Sequence, residues 1–146
     1  MTQATRRVVT AQEREKGGIV SDAMVAPIDL GGGVAKVELW RAGEGGKPAP
    51  LEPPWPIDPP PFGHVFLIAE FPPTASGDEP WMHMTSTIDY GIVLDGELTL
   101  VTESGDTVLR AGDVVVQQGA NHGWINRSAT PCRLAVVLID ATVRAK

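Results

Sequence analysis

Four residues at alternate positions, His83, Thr85, Thr87 and Asp89, hold the densest polar chemistry in this 146-residue chain. Side chains in an extended strand alternate between two faces, so these four would all point the same way. A second imidazole, His122, lies on a segment distant in sequence, and closure of a β structure can bring it opposite the first. Two imidazoles and one carboxylate form the donor set of a facial triad, which leaves coordination positions open for substrate, water or dioxygen. Such donors suit a divalent metal ion: iron, zinc, manganese or nickel. Without metal, one histidine would serve as a general base with its pKa near working pH. A metal site at His83, Asp89 and His122, a metal-free pocket using the same histidines, and purely structural histidines are the three readings of this cluster.

Other residues would line a pocket around it. Trp124 shares parity with His122 and would add a planar apolar wall. Thr85, Thr87 and Gln117 would contribute polar groups, and Gln117 and Asn121 either orient a ligand or serve the backbone. His64 opens an apolar run through Phe71 and is a satisfied barrel residue or a further pocket residue. Tyr90 has the wrong parity and packs outside. Trp40 and Trp81 read as core or rim packing. Cys132, the single cysteine, begins an apolar strand, which makes it a packed thiol and excludes an intrachain disulfide. No phosphate loop, dinucleotide fingerprint, nucleophile elbow or cysteine-rich zinc pattern is present.

The elements that must position these residues are strands. Short Val-, Ile- and Leu-rich runs recur between turn residues, the pattern of a sandwich or barrel. Strands are expected at Arg6–Thr10, Ile19–Ser21, Val34–Arg41, His64–Phe71, Ser86–Asp95, Glu97–Thr102, Asp106–Leu109, Asp113–Gln117, His122–Asn126 and Cys132–Ala141. Asp95-Gly96 suits a tight hairpin turn, and Gly112 and Gly119 mark further turns. Ala11–Lys16 is the one stretch with a helical turn's character. Between Pro48 and Pro61 lie eight of the thirteen prolines, so this segment cannot supply a central strand's amide donors. It reads as a stiff, extended surface connector with Trp55 and Ile57 pinned to the domain. One structural domain results: an N-terminal strand arm over 1–47, the connector over 48–61 and a barrel over 62–146.

The spacing of Gly77, His83, Asp89 and Gly96, and of Gly112, Gly119, His122 and Asn126, resembles the two signature motifs of the cupin superfamily. Thr85 stands where that family has its second histidine, Asp89 where it has glutamate, and Gln117 where it has proline. The spacer after Gly112 is one residue short. The Trp40-Arg41 and Phe71-Pro72-Pro73 segments resemble the N-terminal region of small single-domain cupins. The resemblance implies an all-β fold, a double-stranded β-helix (jelly-roll barrel) with an N-terminal strand arm. It implies metal ligation at His83 and His122, with Asp89 a methylene shorter than glutamate and Thr85 a poor ligand. It also implies a homodimer in which the arm reaches a neighbouring copy.

Composition narrows the function classes. With 42% hydrophobic and 21% charged residues, the chain is a globular domain rather than a disordered one. A net charge of −6 and scattered basic residues leave no footprint for nucleic acid or anionic membranes. No apolar run reaches transmembrane length and no secretory h-region opens the chain, so a cytoplasmic location is expected. The expected function is that of a small-molecule enzyme, with metal-assisted lyase or isomerase chemistry (dehydration, decarboxylation or proton transfer). Its substrate would be a small organic acid, a polyketide-like molecule or an aromatic catabolite. An iron-dependent dioxygenase and a non-catalytic ligand-binding or sensor barrel are the alternatives. Histidines tied to backbone carbonyls would favour the binder, and open coordination positions the enzyme.

Overall fold

A computed structural model describes residues 3–53 and 56–141. Eleven strands account for nearly all its regular structure: β1 (Thr5–Glu13), β2 (Lys16–Val25), β3 (Ile28–Gly31), β4 (Val34–Ala42), β5 (His64–Phe71), β6 (Thr87–Asp95), β7 (Glu97–Thr102), β8 (Gly105–Arg110), β9 (Val114–Gln118), β10 (His122–Ile125) and β11 (Cys132–Asp140). They form an all-β barrel from a six-stranded sheet in the order β3-β4-β5-β11-β6-β9 and a three-stranded sheet in the order β10-β7-β8. A separate two-stranded sheet pairs β1 with β2. Val93 and Leu134 of the large sheet meet Leu98 of the small one and Cys132, with Phe71, Leu109 and Trp124 packed around them. That cluster closes one end of the barrel. Burial pushes the Cys132 thiol up to about 11, so it is an inert packing group, as expected.

Two expectations for the N-terminal region change. Residues 11–16 form no helical turn: β1 runs through Glu13, Arg14 takes φ 54°, and Glu13 pairs with Lys16 across a two-residue hairpin. A left-handed residue in that turn matches the right-handed twist of its strands. The short strand β3 was not anticipated, because Ile28–Gly31 is too brief to show a period. Among the described residues, the one 3-10 turn lies at Glu44–Gly46, where Gly45 and Gly46 take left-handed φ of 70° and 76°. Of the arm, β3 and β4 join the barrel sheet, whereas the β1–β2 hairpin lies against it through Val25 and an Arg7 hydrogen bond to the Leu39 carbonyl.

The connector is held by an ion cluster inside the barrel. Lys36, Glu38 and Arg41 are each below a tenth exposed. Glu38 accepts from Lys36 Nζ at 3.2 Å and from Arg41 Nη2 at 2.8 Å and Nε at 3.1 Å. A spacing of three should put Glu38 and Arg41 on opposite faces of β4. The register shift between Glu38 and Trp40 is a bulge that turns them to the same side. Spare donors reach the connector: Lys36 and Arg41 both bond the Pro56 carbonyl, at 2.9 and 2.7 Å, and Arg41 bonds the Asp58 carbonyl at 2.8 Å. The connector is thus pinned by its backbone. Ile57 is 46% exposed rather than buried, and Trp55 lies outside the described residues. Burial lowers the Lys36 pKa, opposed by Glu38. Removing the one carboxylate leaves two buried cations facing each other, so Glu38→Ala is expected to cost about 3–5 kcal/mol in urea unfolding. A loss below about 1 kcal/mol would mean the cluster is solvated.

Candidate functional site

A cavity of about 1190 Å³ opens between the sheets. Its volume exceeds the upper end of ordinary small-molecule pockets, about 1,000 Å³. Leu67, Ala69 and Phe71 from β5 and Leu134, Val136 and Leu138 from β11 give it an apolar wall. The polar wall carries His83, Thr85, Asp89, Gln117 and His122, so most of the expected site residues share one space. Thr87 lies behind this wall, 3% exposed, and bonds two of its members. Trp124 also lines the cavity, its ring edge-on to His122 at 5.8 Å.

His64 is not among the lining residues, and the reason is parity. Leu67, Ala69 and Phe71 face the cavity, which turns His64 at the head of β5 to the same outer side as Phe66, itself 40% exposed. Tyr90 is likewise outside and half exposed, as its parity required. Asn121 binds the Glu103 carboxylate at 2.5 Å and orients no cavity group. The motif residue Asn126 is a structural peg, donating to the Phe71 and Thr130 carbonyls at 3.0 and 2.8 Å.

The two histidines meet through the backbone. His83 and His122 form an isolated antiparallel bridge, with reciprocal N–H···O bonds of 2.9 and 3.0 Å. Directly opposed residues in such a pair project side chains to the same face. Their ring centroids lie 4.5 Å apart. His122 Nδ1 is 2.8 Å from the Ala120 carbonyl and His83 Nδ1 is 3.2 Å from the Trp81 carbonyl. A carbonyl only accepts, so Nδ1 carries a proton in both rings, and in the neutral ring the lone pair is then on Nε2. Trp81 stacks on His83 at 4.3 Å and 15°. Of the two positions expected for Trp81, core or rim, the structure shows the rim: it forms an exposed lip of the cavity. Gly123 makes this crossing possible: a Cβ there would lie 2.9 Å from Met82 Sδ and Pro80 Cβ and 3.0 Å from the Trp81 carbonyl.

Asp89 is fixed by a hydroxyl relay. Thr87 Oγ1 is 2.7 Å from Asp89 Oδ1 and 3.1 Å from Thr85 Oγ1. With one proton, Thr87 donates to the carboxylate and accepts from Thr85. Burial raises the Asp89 pKa, against the Thr87 hydrogen bond and the charge of His122. Burial also lowers that of His122, against its carbonyl partner. Burial thus favours the neutral form of both groups. Among the described residues, no three His, Cys, Asp or Glu side chains are grouped to hold a metal ion. His83, Asp89 and His122 share the cavity but are not drawn together as a three-donor set, and Asp89 Oδ1 accepts from Thr87. Both imidazoles are thus tied to backbone carbonyls, the arrangement expected of a non-catalytic binding barrel, while the Nε2 atoms have no protein partner among the described residues, which leaves them open to a ligand or substrate.

The fold and this site define a cupin. The Cupin_2 cupin-domain family matches residues 67–139, and the chain belongs to it. It is 48% identical over 83 residues to the phomopsin biosynthesis cluster protein C′ of Diaporthe leptostromiformis, covering 56% of this chain and 42% of that protein. It is 31% identical over 136 residues to the cupin-domain-containing oxidoreductase virC of Hypocrea virens, covering 90% of this chain and 62% of that protein. The chain spans about half the length of the curated relatives it matches. An RmlC-like cupin from Shewanella frigidimarina superposes with a TM-score of 0.55 at 19% identity, covering 84% of this chain and 89% of that one. At that identity the likeness speaks for the fold alone.

Asp89 carries a stability prediction. Its folded pKa is raised, so its contribution is favourable below the ordinary carboxylate range and is lost as pH rises through the folded value. Above the ordinary carboxylate range, burial of this acid is a cost that Asn, which can accept the same Thr87 bond, does not bear. Asp89→Asn should raise Tm at pH 7 by a few degrees, and the gain should vanish near about pH 3. A lower Tm at pH 7, measured by circular dichroism, would contradict a raised pKa.

Proposed function

We propose that this cupin is a small-molecule enzyme that transfers protons on a carbonyl-bearing, polyketide-like or aromatic substrate. The supporting observation is the His83–His122 pair: two neighbouring imidazoles, each with Nδ1 held by a carbonyl, in the cavity that the Asp89 carboxyl also lines. His122 Nε2 takes the proton from the carbon next to the substrate carbonyl. The electron pair moves onto the carbonyl oxygen, where the proton of a protonated Asp89 carboxyl, held by Thr87, can stabilise it. Returning the proton at another carbon isomerises the substrate. If a β-hydroxyl leaves instead, it takes the proton held by His122 and departs as water, the carbonyl re-forms with a C=C bond beside it, and the substrate is dehydrated. The cavity volume, with Trp81, Trp124 and Phe71 on its walls, suits a bicyclic or extended molecule. The place of related proteins in fungal biosynthesis clusters accords with a substrate of that kind.

A second reading is redox chemistry, favoured by the oxidoreductase name of the relative that aligns with 90% of this chain. Such a reaction needs an electron acceptor, which imidazole, hydroxyl and carboxyl groups do not provide. A metal or organic cofactor would have to bring it.

Deuterium incorporation from D₂O into 2-tetralone, an aromatic ketone with acidic α-protons, separates the two. The wild-type protein is expected to catalyse exchange with a chelator present, and His122→Ala to lose about 10²–10⁴-fold. Because burial lowers the His122 pKa, the rate should hold as pH falls to 6.5 and drop only below that, where the base is protonated. Catalysis that tracks bound iron and disappears with chelator would transfer the assignment to the metal-dependent reading.

A further inference from the structure

The charges around the cavity are largely of one sign. Asp58 on the proline connector, Asp78 and Glu79 ahead of Trp81, and Asp89 on β6 all line it. Among the described residues, Lys36 is the only lysine or arginine on that wall. Its ammonium is 1% exposed and bound to Glu38 and to the Pro56 carbonyl, so it offers little to a ligand. Asp58 is delivered by the same cluster, through the Arg41 bond to its carbonyl. A cleft lined by one sign of charge with low-dielectric walls focuses its field on whatever enters.

Apolar and aromatic surface supplies the rest. Trp81 is 75% exposed at the lip, Trp124 lies deeper, and Leu67 and Val136 face them across the cavity. Aromatic faces beside carboxylates attract cations and tolerate neutral rings, while a carboxylate ligand would meet repulsion with no free cation to offset it. We infer that the cavity selects an electrically neutral or cationic aromatic ligand and rejects the corresponding free carboxylic acid. The inference rests on the cavity being the working site, and it narrows the substrate from organic acids to neutral forms such as aldehydes, ketones, esters and lactones. Asp58, Asp78 and Glu79 become specificity-determining residues.

Binding rather than turnover tests it. The probes are 2-naphthoate, 2-naphthamide and 2-naphthylmethylammonium, titrated calorimetrically into the full chain at low salt and at high salt. The amide and the ammonium are expected to bind at least tenfold tighter than the naphthoate. High salt should narrow the ammonium–naphthoate gap, because partly exposed charges are screened. A triple variant, Asp58→Asn, Asp78→Asn and Glu79→Gln, should narrow it too, with an unchanged circular dichroism spectrum. Naphthoate binding as tightly as the amide, or a gap that survives the triple variant, would overturn the inference. Failure of all three probes to bind would overturn it together with the cavity as a site. Charge preference without 2-tetralone exchange would leave this inference standing and remove the proton-transfer reading.

Discussion

The two backbone hydrogen bonds between His83 and His122 are the constraint on which the site depends. They join the segment before β6 to the start of β10, strands of different sheets, and so hold the barrel together where the cavity opens. Because the residues are directly opposed, one bridge fixes both imidazoles on the same face. Each ring is then oriented by a carbonyl two residues before it, of Trp81 or Ala120. Backbone geometry thus selects the tautomer, and no other side chain is needed to set it.

Around this bridge the interior is polar at a cost. Asp89 and His122 are held where burial disfavours their charged forms, and Lys36, Glu38 and Arg41 form a cluster that a hydrophobic core would not require. The cluster has a positional consequence, because its cations bind the connector carbonyls that bring Ile57 and Asp58 to the cavity. Apolar packing at the closed end, around Val93, Leu98, Cys132 and Leu134, supplies the compensating burial.

The strands were legible because Gly and Pro punctuate them cleanly. His64–Phe71 and Glu97–Thr102 have their bounds in the sequence itself. The polar cluster was legible for the same reason: alternation put His83, Thr85, Thr87 and Asp89 on one side, and the Gly119–His122–Asn126 spacing located the second imidazole. Parity does not say which side faces inward, which is how His64 was counted as a possible pocket residue. In Val34–Ala42 the alternation of Lys36 and Glu38 with Val37 and Leu39 looks like an ordinary solvated face, yet the charges point inside. The Glu38–Trp40 bulge that brings Arg41 to them leaves no trace in a period. The reach of Asp58 and Trp81 to the cavity depends on where loops cross, and only the crowding at Gly123 records that crossing.

The central claim is that His122 presents an unprotonated Nε2 to the cavity. The ¹⁵N chemical shifts of its imidazole, measured on this 146-residue chain at pH 7, report the protonation of each nitrogen. The expected result is a neutral ring protonated at Nδ1, with the Nε2 resonance at the position of a bare, lone-pair nitrogen. A proton on Nε2, whether as the other tautomer or as imidazolium, would contradict it.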